Sequence, residues 1–376
     1  MNLEYKYIAT TFSGLEEVLE NELIELGAEN THVLTRAVAF EGDRTIMYRA
    51  NMYCRTALQI LVELNTGTVN SADDIYDLVM DVIWEKYFRP YDSFCVNAVV
   101  NQCPFIDNSL FAALKVKDAI VDQLRDTFGI RPSVDKENPN VTVNVHIYRD
   151  KFSLYLNTSG LPLFKRGYKV CAVPSPLNEV LAAGMIYLSG WPKNVPLYDP
   201  FCGSGTILIE GAMIAMNVAP GLYRDFFAFQ KLKSYNRAVF NEIVEEAKSK
   251  IVYDAPTIIG SDISDKAVNY ANANIKNAGF SDFIKVEQYA FGDSFPEIND
   301  GYIITNPPYG VRTDKENLND LYKLIGDTFK HHFNGFSCWV ISSDKDAIDS
   351  IGLHASSKRK LFNGPLECRF LGYKMY

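Results

Sequence analysis

The chain is 376 residues long, 47% hydrophobic and 22% charged, with 23 glycines and 16 prolines. Such a composition belongs to a folded chain of two or three domains and excludes a disordered or collagen-like one; no window approaches 18 uninterrupted apolar residues, which excludes an integral membrane protein. The net charge of −9 sits in residues 1–100, where 7 basic residues meet 16 acidic ones, whereas residues 101–376 carry 30 of each sign.

Residues 151–200 and 351–376 are locally basic, so the acidic balance leaves a nucleic-acid partner open, phosphate contacts needing only a local patch. Seven cysteines are scattered without a Cys-x-x-Cys pair. They read as reduced thiols, with no disulfide framework and no metal site. The opening MNLEYKYIATTF lacks the basic and apolar regions of a secretory signal, so a cytoplasmic location is expected.

In chain order, Lys6–Phe12 is a β-prone run. Ser13 is expected to cap a helix with an apolar stripe of Leu15, Val18, Leu19, Leu23 and Leu26, closed by Gly27. Strands near 33–40 and 57–64 flank a helix from Thr45 to about Tyr53. A second α+β unit opens with Ser71 and Asp74 capping a helix with Ile75, Leu78, Val79, Val82 and Ile83 on one face. A strand at 94–100 and a helix at 109–128, stopped by Gly129, follow. Val141, Val143, Val145 and Ile147 then alternate with polar residues, with 152–157 as the hairpin partner.

From about Ser175 strands and helices alternate, as in a mostly parallel sheet. Strands are expected near 196–199, 258–262, 283–289, 301–305 and 337–342. An antiparallel pair at 358–363 and 367–375, around Asn363-Gly364, closes the sheet. Residues 218–253 read as a helical insertion.

Three motifs carry chemistry. Asp199-Pro200-Phe201-Cys202-Gly203-Ser204-Gly205-Thr206 joins the first of these strands to an apolar helix, and its glycines let the backbone approach a ligand closely. The third glycine of a dinucleotide fingerprint would fall at Leu208, and no Gly-Lys-Ser/Thr of a phosphate loop follows. Asp262 ends the next strand, where a carboxylate accepts hydrogen bonds from a ribose diol or caps the following helix. Asn306-Pro307-Pro308-Tyr309-Gly310 stands at the tip of the fourth strand. A planar amine is a poor nucleophile because its lone pair is delocalised. The Asn306 side-chain oxygen and the Pro307 carbonyl can accept its two hydrogens, and Tyr309 can stack on its ring, which is catalysis by positioning and electrostatics.

In this order the motifs resemble the class I S-adenosylmethionine-dependent methyltransferases that modify planar amino groups. The resemblance implies that Asp199, Pro200, Cys202, Gly203, Ser204, Gly205 and Thr206 line the methionine side of S-adenosyl-L-methionine. Asp262 and Ile263 would take the ribose side, and Asn306, Pro307, Pro308 and Tyr309 would serve the acceptor amine, with Asn306 also lining the cofactor. The acidic residue usual at the end of the third strand is replaced by Ala290, with Asp293 three residues on as its substitute. Cys202 is given no catalytic role. His331-His332 reads as a helix C-terminus, not a metal or acid–base pair.

The N-terminal half resembles RNA-binding modules. Arg131-Pro132-Ser133-Val134-Asp135, Asn138-Pro139 and the 141–148 strand are similar to the end of a THUMP domain, and residues 1–65 to the ferredoxin-like domain that accompanies it. Leu163–Tyr168, Pro174–Glu179, Ala219-Pro220-Gly221, Phe227-Ala228-Phe229 and Asn363-Gly364 resemble the bacterial 23S rRNA guanine-N2 methyltransferases with a THUMP domain; a single methyltransferase domain, able to do only the first of the reactions that two-domain members perform, is expected. The expected architecture is therefore an α/β Rossmann-like methyltransferase sheet at 161–376, preceded by α+β ferredoxin-like (1–65) and THUMP (66–160) domains. RNA is the expected partner, rRNA first and tRNA as the rival. Lys165, Arg166 and Lys169, with Arg131, are the expected RNA contacts; Lys358, Arg359 and Lys360 read as protection of an edge strand. A non-catalytic assembly factor with a vestigial cofactor fold is the reading from a different class.

Overall fold

A computed structural model describes residues 5–309 and 315–376; the glycine closing the Asn-Pro-Pro-Tyr-Gly run and the first four residues lie outside the described residues. The N-terminal half contains β1 (Tyr5–Thr10), α1 (Glu16–Glu25), β2 (Glu29–Leu34), β3 (Ala37–Gly42), α2 (Arg44–Tyr53), β4 (Gln59–Thr68), α3 (Ala72–Met80), β5 (Phe94–Asn101), α4 (Ser109–Phe128), β6 (Val141–Tyr148) and β7 (Lys151–Asn157). Its seven strands form one sheet in the order β2-β3-β1-β4-β7-β6-β5.

Two local expectations are adjusted. The run near 33–40 is two strands broken by a turn, with Arg36 at φ 59°. Ser13 does not cap α1: Leu15 occupies the N-cap without a side-chain bond, and the Glu16 carboxylate instead accepts from the amides of Gly14 (2.7 Å) and Arg36 (3.0 Å). A division at residue 65 falls inside β4, which pairs with β1 through 59–62 and with β7 through 61–68, so the two N-terminal units share one sheet and one apolar core.

The C-terminal half contains α5 (Glu179–Ser189), β8 (Leu197–Asp199), α6 (Thr206–Ala215), α7 (Arg237–Ser249), β9 (Ile258–Asp262), α8 (Asp265–Ala278), β10 (Ile284–Gln288), β11 (Gly301–Thr305), α9 (Lys315–His332), β12 (Phe336–Ser342), α10 (Lys345–Asp349), β13 (Ser357–Asn363) and β14 (Leu366–Lys374). The sheet order is β10-β9-β8-β11-β12-β14-β13, parallel except for β14. Strand order reverses between β8 and β11, and ligands of open α/β sheets bind at the carboxyl ends of strands beside such a reversal. α5 and α6 are buried almost throughout, which explains their apolar sequences.

Most of the insertion between α6 and β9 packs away from its own sheet, although Val218, Tyr223 and Ile251 stay on the C-terminal core. Phe227, Phe229, Leu232, Phe240 and Ile243 complete the N-terminal core, with Phe229 4.7 Å from Tyr48 and 4.9 Å from Phe240 between ring centres. Arg224 donates to the carbonyls of Ser159, Leu161, Pro162 and Lys165, so the insertion also grips the chain joining the halves. There Gly167, at φ 118°, is required: a Cβ would lie 2.2 Å from the Tyr223 carbonyl oxygen. Among the described residues no helix is long and apolar enough to cross a membrane.

Candidate active site

The three motifs converge at the carboxyl ends of β8, β9 and β11. Asp199 is fully buried at the tip of β8, its Oδ1 accepting from the Thr305 hydroxyl (2.7 Å) and the Phe201 amide (3.2 Å). Burial pushes its carboxyl up to about 7, with the nearby Asp262 charge acting in the same direction. Thr305 therefore ties the tip of β11 to the tip of β8, a link the sequence reading missed.

The loop is held from both sides. The Cys202 amide donates to the Ser261 carbonyl (2.9 Å), and the Gly203 amide to Asp262 Oδ2 (3.0 Å). Gly203 and Gly205 have φ of 53° and 81°, and a Cβ on Gly205 would stand 3.3 Å from that of Ala271. Burial raises the Cys202 thiol far above its usual range, so it stays protonated at neutral pH.

Asp262 does not cap α8. Ser264 is the N-cap residue, while Asp262 Oδ1 accepts from the Ser264 amide (2.9 Å). Each carboxylate oxygen thus has one acceptor position in use and one free. Beside it, Ile263 is 71% exposed, an apolar side chain standing at the tip of β9. Asp293 lies exposed in the loop after β10. The buried Asn274 of α8 donates to the carbonyls of Cys171 (2.8 Å) and Ser204 (2.9 Å), locking the connecting segment onto the loop. The one polar residue in the Ala267, Val268, Ala271, Ile275, Ala278 stripe was the sequence signal for it.

At the tip of β11, Asn306 Oδ1 is buried without a hydrogen-bond partner, a costly arrangement unless a ligand supplies the donor. Pro307 is buried and Pro308 exposed, its carbonyl 3.3 Å from the Tyr322 hydroxyl. The Tyr309 hydroxyl accepts from Asn363 Nδ2 at 2.8 Å. Burial raises its pKa, so the phenol stays neutral at neutral pH.

The expected RNA contacts separate. Arg166 is corrected: it is 2% exposed and pairs with the fully buried Glu210 of α6, whose charge requires a partner inside the protein. Lys169 is mostly buried and paired with Glu179 at 2.8 Å. Lys165 and Arg131 are exposed. Lys165 borders a cleft of about 760 Å³ between the connecting segment and the insertion, also lined by Leu161, Phe164, Val170 and Phe226.

The glycine cradle, the carboxylate with two free acceptor positions, the exposed Ile263 and the unpaired Asn306 oxygen suit S-adenosylmethionine, and the strand order is that of its class I enzymes. The fold and site define a class I S-adenosylmethionine-dependent methyltransferase. Residues 166–371 match the RMKL-like methyltransferase domain, residues 69–157 the THUMP domain and residues 6–61 the RlmL ferredoxin-like domain.

The chain belongs to the RMKL-like methyltransferase family. It is 36% identical over 373 residues to a putative RNA methyltransferase of Synechocystis sp., covering 98% of this chain and 97% of that protein. It is 36% identical over 378 residues to the ribosomal RNA large subunit methyltransferase K/L of Shewanella amazonensis, covering 99% of this chain but 53% of that protein, so it spans about half of that relative's length. The crystal structure of SMU.472, a putative methyltransferase complexed with SAH, superposes with a TM-score of 0.91 at 30% identity, covering 100% of this chain and 99% of that one.

Proposed function

We propose that the protein methylates the exocyclic N2 of a guanine in large-subunit ribosomal RNA, in the cytoplasm. The observation that carries this reading is the buried, unpartnered Asn306 Oδ1 at the tip of β11. An acceptor amine with two N–H groups supplies the missing donor, and the RNA-binding THUMP module and the rRNA methyltransferase relatives favour a base in RNA.

Bound S-adenosylmethionine supplies an electrophilic methyl group on a sulfonium. Asn306 Oδ1 and the Pro307 carbonyl hold the two amine hydrogens, turning the nitrogen lone pair toward that methyl, and the Tyr309 ring stacks on the base. The N–CH₃ bond forms as the S–CH₃ bond breaks, and the amine proton passes to water. Asp199 and the loop through Thr206 hold the methionyl end of the cofactor, Asp262 and Ile263 the ribose side, and Asp293 the adenine amine. Lys165 and Arg131 are the RNA contacts this reading retains, as exposed cations placed to meet phosphates. The target base leaves its stem or loop to reach Tyr309.

The test supplies labelled S-adenosylmethionine to purified protein with undermodified rRNA and tRNA pools, followed by nucleoside analysis. N2-methylguanosine in rRNA is expected. Label in tRNA alone overturns the substrate, and absence of cofactor binding overturns the enzyme in favour of a non-catalytic RNA-binding factor.

A further inference from the structure

Asn363 enters the site only through the register of the last hairpin. The loop between β13 and β14 is Gly364-Pro365, with Gly364 at φ 61°, and Asn363 is the last paired residue of β13, opposite Leu366. A glycine with positive φ at the first loop position suits a two-residue hairpin and leaves the asparagine on the strand, outside the turn. Along β13, Asn363 falls on the same face as the buried Leu361, which pairs with Cys368 of β14. β13 runs parallel to β12 and β11, so its end lies at the same sheet edge as the tips of β8, β9 and β11.

From that edge the hairpin reaches the phenol: Asn363 Nδ2 donates to the Tyr309 oxygen at 2.8 Å. The other side of the acceptor loop rests on α9 and β12, through the Tyr322 hydroxyl near the Pro308 carbonyl (3.3 Å) and Ser342 Oγ (2.9 Å).

We infer that Asn363 is a positioning residue for methyl transfer: through Tyr309 it fixes the ring on which the acceptor base stacks. This rests on the proposed methyl transfer to an RNA base. Its consequence is a coupling between the closing hairpin and the rate of the chemical step, with no contact between Asn363 and the cofactor.

The experiment is a double-mutant cycle on the full chain with Asn363→Leu and Tyr309→Phe, which remove the same bond from opposite sides. Each single variant is expected to lower kcat on RNA by about tenfold, with S-adenosylmethionine affinity within about twofold of wild type and the double variant no worse than the poorer single one. Wild-type kcat in Asn363→Leu, or losses that multiply in the double variant, would overturn the inference. Amide hydrogen exchange at Asn306 and Tyr309 reads the contact without activity. Exchange about fivefold or more faster in Asn363→Leu is expected, and unchanged exchange overturns it. If the wild-type protein methylates no RNA, the proposed function fails, and the exchange measurement still decides whether Asn363 fixes the loop.

Discussion

Asp262→Ala is the substitution that tests the cofactor site most directly. The Asp262 carboxylate offers about four acceptor positions. The amides of Gly203 (3.0 Å) and Ser264 (2.9 Å) use one on each oxygen, which leaves two for the two hydroxyls of a ribose. A hydrogen bond to a charged group is worth about 1.5–3 kcal/mol, and the partial exposure of Asp262 favours the lower end. Two such bonds amount to about 3 kcal/mol, a loss of roughly 150-fold in affinity for S-adenosylmethionine. The assay is calorimetric titration of wild type and variant with the cofactor and with its 2′-deoxy analogue. Wild type should bind the analogue about tenfold more weakly, and Asp262→Ala should bind both alike. Released Gly203 and Ser264 amides would cost the loop some stability, but a loosened loop alone would preserve discrimination between the two ligands. Affinity in Asp262→Ala within threefold of wild type, or discrimination that persists, would refute the assignment.

Asn306→Ala should lower kcat by about a hundredfold while the cofactor dissociation constant moves by less than about threefold; equal loss of both would remove Asn306 from the acceptor side. Asp199, with a folded pKa of about 7 against an ordinary 3.8, gives the ligand-free protein stability that is lost as pH rises from about 4 through 7. The methionyl ammonium of the cofactor favours the carboxylate form, so affinity should rise about tenfold between pH 6 and pH 8 with uptake of cofactor releasing a proton; a flat pH profile would refute this. Glu210→Leu strands the buried Arg166 charge and should cost about 3–5 kcal/mol in denaturant unfolding, and a loss below about 1 kcal/mol would refute the buried pair. Lys165→Ala should weaken RNA binding and reduce the salt slope by about one unit, whereas Arg166→Met should leave that slope unchanged; the reverse pattern would restore Arg166 to the RNA surface.

Much of the fold was legible because it rests on local signals. Periodicity placed α4, bounded by Asn108 and Gly129, and the alternation of β6, and the strand–helix rhythm after residue 175 gave the parallel sheet. The three motifs were readable because each combines an unusual backbone demand with a polar side chain at a strand tip. What could not be read is where the halves meet. Phe227, Phe229 and Phe240 look like the core of their own domain, yet they complete the other one.

The basic run around residue 166 shows the same limit. Lys165, Arg166 and Lys169 are neighbours in sequence with one charge sign, and nothing local distinguishes the exposed cation from the buried one. That depends on Glu210, 44 residues away, whose position inside an apolar helix requires a counter-charge. Asn363 differs for a related reason: strand pairing put Gly364-Pro365 in the turn and turned the asparagine toward Tyr309, 54 residues away. The sequence by itself determined the class of sheet, the loop chemistry and the polar groups at the strand tips, because helix period, glycine conformation and side-chain donors are properties of short segments. Only the tertiary structure decided which charges stay exposed and which side chains bond the loop at the tip of β11, because burial and hydrogen-bond partnership belong to pairs of residues that the chain brings together after folding.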